Sequence, residues 1–236
     1  MAEFGKIADI NPAFPETWQG KKFLTFDLDW AIDPVIDYTI DYLIDKKIQA
    51  TFFITHFSPS VKKIIETSHF EIGIHPNFNY ILDSSQSSNY KDAIDRILDI
   101  TGPVKVARSH SLTQSSHIIE YFLQKGITHD CNLFIPSESQ IDIKPWHHWN
   151  NIIRVPHFWE DDVNFISKKQ IDPISIFSND FLCVFDFHPI HVFLNTQSSQ
   201  HYLEAKKDMH NLQHLKTQIN TKTTGVRNFL FNLLVS

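Results

Sequence analysis

The chain has 236 residues, of which 42% are hydrophobic and 20% charged, and its formal net charge at pH 7 is −6. At about 150 residues per domain, this length fits one large domain or two small ones. The apolar content is enough to build a core without disulfides, which excludes a disordered chain and a disulfide-rich miniprotein. Because 27 acidic residues outweigh 21 basic ones, the charge gives no reason to expect nucleic acid as a partner.

The sequence shows none of the signals of export or membrane insertion. Its N-terminal residues include charges and lack the apolar stretch of a signal peptide. No run approaches the roughly 18 apolar residues that a membrane span needs. The two cysteines, Cys131 and Cys183, form no CxxC pair and lie in strand-like contexts, which favours buried free thiols in a reducing compartment. We therefore expect a cytoplasmic protein.

Short runs of β-forming residues alternate with amphipathic helical patterns along the chain. Strands are predicted at residues 22–27, 50–55, 71–75, 104–107, 127–131, 152–155 and 181–187. Helices are predicted at residues 34–47, 60–66, 89–100, 114–124, 200–218 and 225–234. Regular alternation implies right-handed βαβ crossovers and a parallel sheet, so the fold class is α/β. Either an incomplete barrel or a doubly wound open sheet fits this pattern. The polar residues 136–151 interrupt it, and we expect them to form a loop at one rim.

Reactive side chains fall directly after the predicted strands, and histidines are prominent among them. The whole chain has 14 histidines, an unusually large number. The clusters are Asp27 and Asp29; His75, Asn77 and Asn79; Arg108 and His110; Arg154, His157, Glu160, Asp161 and Asp162; and His188 and His191. Because the carboxyl ends of parallel strands meet at one edge of the sheet, we expect these side chains to converge on one cleft.

The segment FDLDW contains two carboxylates two residues apart, Asp27 and Asp29. In an extended segment such residues point the same way, so one can bind a cation while the other takes a proton. FDLD also resembles the opening motif of haloacid-dehalogenase-type phosphatases, which would use Asp27 as nucleophile and Asp29 as acid. Those proteins usually continue with Gly-Thr-Leu, whereas this chain continues Trp-Ala-Ile, and the histidine clusters would then have no role.

Five segments in chain order are LTFDLDW, ATFFIT, EIGIHPNFN, ARSHSL and CVFDFHPIH. Together they resemble the ordered motifs of NodB-type polysaccharide deacetylases, carbohydrate esterase family 4, and within it the divergent WbmS-like branch. The resemblance runs from about Phe23 to Asn195. It implies an incomplete (β/α)7 barrel in which residues 1–236 form a single deacetylase-like domain, with a core at about 22–195 and C-terminal helices at 200–234.

The resemblance also implies a divalent metal site, with zinc as the expected ion. The family's metal-binding aspartate corresponds to Asp29, and its first metal-binding histidine to His75. The family usually has a second histidine four residues later, where this chain has Asn79. Asparagine is a weaker ligand than imidazole for a transition metal, so a histidine from elsewhere could complete the site in place of Asn79. The candidates are His110, His157 and His191.

The catalytic groups follow from the same resemblance. The family's general base corresponds to Asp27, and the arginine that pairs with it to Arg108. Its general acid corresponds to His188. The carboxylate that orients this histidine is loosely matched by Asp161 or Asp162, with Asp186 as an alternative that is nearer in sequence but expected to point the opposite way.

A carbohydrate substrate is the partner that the resemblance implies. We expect His110, Trp159, Trp30 and His191 to contact it, because aromatic rings stack on the apolar faces of sugars. The expected reaction is metal-dependent removal of an N-acetyl or similar acyl group from a sugar, an intermediate of surface-polysaccharide biosynthesis. The sequence also leaves open a phosphohydrolase that uses Asp27 and Asp29, and a catalytically silent glycan-binding relative. No particular oligomeric state follows from the sequence.

Overall fold

The protein is described here by a computed structural model that covers residues 3–82, 89–167 and 181–235. Its strands are β1 (Glu3–Phe4), β2 (Lys21–Asp27), β3 (Ala50–Ile54), β4 (Phe70–Ile74), β5 (Val106–Ala107), β6 (His129–Asp130), β7 (Trp146–His147), β8 (Ile153–Arg154), β9 (Trp159–Glu160) and β10 (Cys183–Phe187). Its α-helices are α1 (Asp33–Lys46), α2 (Pro59–Glu66), α3 (Asn79–Leu82), α4 (Tyr90–Thr101), α5 (Ser116–Gln124), α6 (Asp161–Ile166), α7 (Pro189–Leu194), α8 (Ser199–Lys206), α9 (Leu212–Thr217) and α10 (Val226–Val235).

The strands form one curled sheet in the order β7-β8-β6-β5-β4-β3-β2-β10-β9, with β1 beside the start of β2. Every pair of neighbours is parallel except β7 and β8. Helices flank the sheet, which makes the fold an α/β incomplete barrel, as the sequence predicts. No helix in the described ranges has the length and apolar content needed to cross a membrane.

The central strands are buried because their side chains are apolar on both faces, as expected for parallel strands covered by helices. All residues of β3 and β10 are buried, and so are six of the seven residues of β2. Phenylalanine rings supply much of this core, and Phe26 stacks on both Phe52 and Phe187. Cys131 and Cys183 are both buried, and they form no disulfide with each other.

The seven predicted strands are all present, and β1, β7 and β9 are additional strands of two residues each. None of these three lies in a longer run of β-forming residues, so no pattern in the sequence indicates them, whereas the equally short β5, β6 and β8 lie in such runs. The helix predicted at residues 200–218 is wrong in its length. It is divided into α8 and α9, because the side chain of Asn211 accepts hydrogen bonds from the backbone of Gln213 and His214 and starts a new helix.

The register of the sheet brings the ends of distant strands to one rim. β2 pairs with β10 through Phe26 and Phe187, so Asp27 and His188 leave the sheet at the same level. Likewise, Ile74 pairs with Ala107, so His75 and Arg108 are neighbours across β4 and β5. The reactive side chains after β2, β4, β5 and β10 therefore share one edge of the barrel.

Gly73 lies in β4 at a position where a side chain has no room. A Cβ atom there would lie 2.6 Å from Cδ1 of Phe53 and 3.1 Å from the carbonyl oxygen of Val106. We predict that Gly73→Ala lowers the free energy of unfolding by about 1–3 kcal/mol, because the buried Phe53 ring has to move. Urea unfolding followed by circular dichroism measures this change. In the double variant Gly73→Ala/Phe53→Leu, the free energy of unfolding should fall by less than the sum of the losses in the two single variants. An unchanged unfolding midpoint for Gly73→Ala would contradict the packing argument.

Candidate active site

Asp27 is the last residue of β2, and Asp29 follows it in a tight turn. The backbone leaves the extended conformation here, because Asp29 and Trp30 have φ values of 41° and 56°. The expectation that an extended segment aligns the two carboxylates is therefore wrong. Both carboxylates nevertheless reach the same histidine: Asp27 Oδ2 lies 3.6 Å from His75 Nδ1, and Asp29 Oδ1 lies 3.3 Å from His75 Nε2.

Arg108 holds the carboxylate of Asp27 inside the barrel. Its Nη1 donates to Asp27 Oδ1 at 3.0 Å and to Thr25 Oγ1 at 2.9 Å, and it also contacts Asp186. Thr25 Oγ1 lies 2.8 Å from Asp186 Oδ1. Arg108 is fully buried, and the Asp186 and Asp27 carboxylates outweigh the effect of burial and raise its pKa. The guanidinium is therefore permanently charged, and Asp27 has a fixed cationic partner.

Three imidazoles surround the carboxylate of Asp29. His110 Nδ1 lies 3.0 Å and His75 Nε2 3.3 Å from Asp29 Oδ1, and His188 Nε2 lies 3.6 Å from Asp29 Oδ2. Burial alone would raise the pKa of Asp29, but hydrogen bonds from His110 and His75 and the charge of His188 outweigh it, and the pKa is lowered. Asp29 is therefore an anion at neutral pH.

His188 follows β10 and is held by Asp161, the first residue of α6. Asp161 accepts two hydrogen bonds of 2.8 Å, one from the backbone N–H of His188 to Oδ2 and one from its Nδ1 to Oδ1. Burial disfavours the charged imidazole, but the Asp161 carboxylate, followed by Asp29, outweighs it and raises the pKa of His188 well above its usual value. The Nε2 atom remains directed toward Asp29, at the distance given above.

These groups line one small hollow of about 100 Å³ at the rim of the barrel. Its walls are Asp27, Asp29, His75, the loop residues Ser109–Leu112, Glu160, Asp162 and His188. A larger hollow of about 430 Å³ also reaches Asp29, His110 and His188 and extends to Trp30 and to Tyr202 of α8. The four-residue convergence of Asp27, Asp29, His75 and His188 predicted from the sequence is thus present in one place.

The donor set beside the hollow fits a divalent transition metal. Asp29, His75 and His110 each offer a ligand atom, and these atoms lie within 4.8 Å of one another. One carboxylate and two imidazoles are a common ligand set for zinc. The carboxylates of Asp27 and Asp29 outweigh burial and raise the pKa of His75. The negative charge of these two carboxylates, which favours a proton on His75, also favours a metal cation beside it.

The structure brings His110, rather than Asn79, to the Asp29–His75 pair. Asn79 starts α3, its backbone N–H donates to Asn77 Oδ1 at 2.9 Å, and it does not line the hollow. His157 and His191, which the sequence also left as candidate ligands, have partners elsewhere. His157 Nε2 lies 3.1 Å from Glu160, and His191 Nδ1 lies 3.1 Å from Thr196 Oγ1.

The residues expected to contact the sugar have different positions. Trp30 is 38% exposed at the mouth of the larger hollow, and its ring lies edge-on to His110 at 5.1 Å. His191 is buried but also lines that hollow. Trp159 is 3% exposed and packs against Phe187 at 4.9 Å between ring centres. It lines a separate hollow of about 240 Å³ beside Phe134 and Phe158.

Two residues of the site, Thr25 and Glu160, have no role that the sequence predicts, and Asp186, the alternative for orienting His188, pairs with Arg108 instead. Thr25 and Asp186 complete the contacts of Arg108, and Glu160 lines the small hollow of about 100 Å³. The strand period offers one signal, because Thr25 and Asp186 precede Asp27 and His188 by two residues and so lie on the same face of their strands. Although Asp186 is close to His188 in sequence, its hydrogen bonds join it to Thr25 and Arg108.

Comparisons with known proteins give a family and a structural relative. Residues 24–206 match the family described as WbmS-like polysaccharide deacetylase. Among solved structures, a crystal structure from Bordetella bronchiseptica, assigned as a polysaccharide deacetylase involved in O-antigen biosynthesis, is 37% identical to this chain. The alignment covers 99% of this chain and 98% of that one, with a TM-score of 0.91. No curated protein matches. The family match spans more than three quarters of the chain, and the matched fold is that of a deacetylase rather than of a haloacid-dehalogenase-type phosphatase. The chain therefore belongs to the WbmS-like family of polysaccharide deacetylases.

Proposed function

We propose that the protein hydrolyses an N-acetyl group on a sugar intermediate of surface-polysaccharide biosynthesis with the help of a divalent cation, zinc being the expected ion. The observation that carries this proposal is the convergence on one hollow of three sets of groups. These are a cation-binding set (Asp29, His75 and His110), a carboxylate paired with arginine (Asp27 and Arg108) and a histidine paired with carboxylate (His188 and Asp161). The Bordetella protein's assignment to O-antigen biosynthesis supports the substrate class.

Asp29, His75 and His110 are the residues that would hold the cation. A bound divalent cation supplies a Lewis acid that polarises the acyl oxygen and makes a water molecule more acidic. His75 and His110 have to be unprotonated to act as ligands, so binding of the cation releases protons. The anionic form of Asp29 is already favoured by its neighbours.

Asp27 is the proposed general base. Its Oδ1 is engaged by Arg108 at 3.0 Å, while Oδ2 faces His75 at the hollow. The Arg108 guanidinium is planar and cannot lose its proton, so it fixes the orientation of this carboxylate. Oδ2 of Asp27 is therefore placed at the hollow, where it can accept a proton from the attacking water.

His188 is the proposed general acid. The leaving nitrogen of an amide is a poor leaving group until it is protonated, and the imidazolium of His188 can supply that proton through Nε2. Asp161 binds Nδ1 and the backbone N–H of His188, which fixes both the tautomer and the ring. The raised pKa keeps His188 charged at neutral pH. The proposed acid and the proposed base therefore line the same hollow.

The two hollows suit the two parts of the substrate. The catalytic hollow of about 100 Å³ has room for a small acyl group and a water molecule. The larger hollow of about 430 Å³ has room for a sugar ring, with the exposed face of Trp30 beside it. Exposed tryptophan rings next to a catalytic cleft favour carbohydrate binding through stacking on the apolar face of the sugar.

The third ligand can be tested by metal binding. We predict that His110→Ala lowers zinc affinity by at least about tenfold, a loss that even the outer partners of metal ligands can cause. Asn79→Ala, the matched control, should bind zinc like the wild type, because Asn79 lies outside the hollow. Isothermal titration calorimetry on protein stripped with EDTA measures both affinities. Equal losses in the two variants would show that His110 is not the specific third ligand.

The base can be separated from the ligands by a second variant. We predict that Asp27→Asn lowers acetate release by at least about 100-fold, the usual contribution of a general base, while zinc content at saturation stays that of the wild type. The assay uses penta-N-acetylchitopentaose and UDP-N-acetylglucosamine as probes and measures acetate. Asp142→Asn, which removes an exposed carboxylate paired with Lys144, should leave turnover unchanged. Loss of zinc from Asp27→Asn would contradict the separate roles of base and ligands.

The pH profile tests the acid. His188 has to be protonated to act, so kcat/KM falls on the alkaline side as His188 loses its proton. Asp161 is the main cause of the raised pKa of His188. Asp161→Asn removes this cause, so we predict that the alkaline limb moves to lower pH. An alkaline limb that stays in place, measured with the same probes, would exclude His188 as the group that this limb reports.

A further inference from the structure

Glu160 lines the catalytic hollow without belonging to any of the three sets of groups assigned above. It is the last residue of β9, where it pairs with Asp186 of β10 across the sheet. Its side chain is only 16% exposed, and it lines both this hollow and the separate hollow of about 240 Å³ beside Phe134. A molecule that fills the catalytic hollow therefore meets Glu160 as part of the wall.

The closest partner of Glu160 is a buried imidazole. Its Oε2 lies 3.1 Å from Nε2 of His157, which is fully buried. Burial and the charge of Arg108 lower the pKa of His157 to about 3, so this ring is neutral. His157 Nδ1 is buried and has no hydrogen-bond partner among the described residues. A bare lone pair is less costly there than an unpaired N–H, which favours the tautomer in which Nε2–H donates to Glu160.

Carboxylates, rather than cations, surround the other side of Glu160. Asp162 of α6 faces it, and ligand atoms of Asp186 and His157 lie within 4.8 Å of it. The nearest guanidinium, Arg108, contacts Asp27 and Asp186 instead. His188 is the other cationic group nearby, and it is paired with Asp161. An ionised Glu160 would thus be a buried anion among anions, which is strongly unfavourable.

The protonation state that follows is the neutral acid. Burial, followed by the charges of Asp162 and Asp186, raises the pKa of Glu160 to about 10. A neutral carboxylic acid has one O–H to donate. Since Oε2 accepts from His157, the proton belongs on the other oxygen, and the Asp162 carboxylate is its neighbour in the free protein.

We propose that Glu160 binds the substrate as a neutral carboxylic acid and donates a hydrogen bond to an oxygen of the sugar that carries the scissile amide. This inference rests on the proposed function for the identity of the substrate. The acyl oxygen belongs beside the cation-binding set of Asp29, His75 and His110. Glu160 lies close enough to His188, the proposed general acid, for their charges to interact, so its donor serves the side of the leaving nitrogen and its sugar.

Two substitutions separate the donor from the charge. Glu160→Gln keeps the shape and an N–H donor, so we expect kcat/KM for the two acetylated probes to stay within about twofold of the wild type. Glu160→Ala removes the donor, and we expect a loss of about five- to tenfold, the usual size for one neutral hydrogen bond. Glu138→Gln changes an exposed carboxylate outside the catalytic hollow, so its kcat/KM should equal that of the wild type. Equal losses in Glu160→Gln and Glu160→Ala, or full activity in Glu160→Ala, would overturn the proposal.

The neutral state has a readout that does not depend on activity. The folded pKa of Glu160 lies above the ordinary value of 4.5, so between about pH 4.5 and pH 10 the folded state binds more protons than the unfolded state. Stability due to this group is therefore lost as pH rises. We expect the melting temperature of Glu160→Gln, relative to that of the wild type, to rise steadily between about pH 5 and pH 9. For Glu138→Gln the difference in melting temperature from the wild type should stay constant over this range.

The kinetic measurements and the melting temperatures together distinguish a failure of this inference from a failure of the proposed function on which it rests. A constant difference between Glu160→Gln and the wild type across the pH range would mean that Glu160 is ionised, and the proposal would fail even if the protein releases acetate. A wild-type protein that releases no acetate from either probe would overturn the proposed function. The melting series would then still decide whether Glu160 is a neutral acid.

Discussion

The catalytic end of the barrel depends on the buried guanidinium of Arg108. Its strand, β5, is separated from β2 by β3 and β4, yet its side chain reaches Asp27 of β2 and Asp186 of β10. The side chain therefore crosses the concave interior of the curled sheet. Burying such a charge costs several kcal/mol unless it is paired, and removing one partner of a buried pair costs about 3–5 kcal/mol. The curl of the sheet and the pairing of Arg108 thus stabilise each other.

The partners of each buried charged group also differ within the site. Six carboxylates lie within or next to one small hollow, and their surroundings differ. Arg108 fixes the orientation of Asp27, hydrogen bonds from His110 and His75 hold the pKa of Asp29 low, and Glu160 lies beside neutral His157 and other carboxylates. Side chains of one chemical type therefore meet different partners within a few ångströms. The proposed roles of base, metal ligand and neutral donor rest on these differences.

Much of this arrangement could be predicted from sequence because it follows from strand order. Asp27, His75, Arg108 and His188 each come directly after a run of buried strand residues, and parallel strands bring such positions to one rim. The third partner of Asp29 and His75 could not be found in this way. Asn79 stands at the expected spacing after His75 but does not line the hollow, while the loop after β5 supplies His110. Trp159 likewise follows a reactive segment, but it lies in β9 with its ring packed against Phe187.

Local periodicity and motif order were enough to predict the α/β class, the seven main strands, the family and most residues that flank the hollow. Three features required the folded chain: which histidine meets Asp29, which carboxylate holds His188, and that Asp186 and Thr25 share Arg108. These contacts join residues from 27 to 161 positions apart. Their distances depend on the curl of the sheet and on turns such as the left-handed one at Asp29, and neither leaves a signal in the spacing of residues.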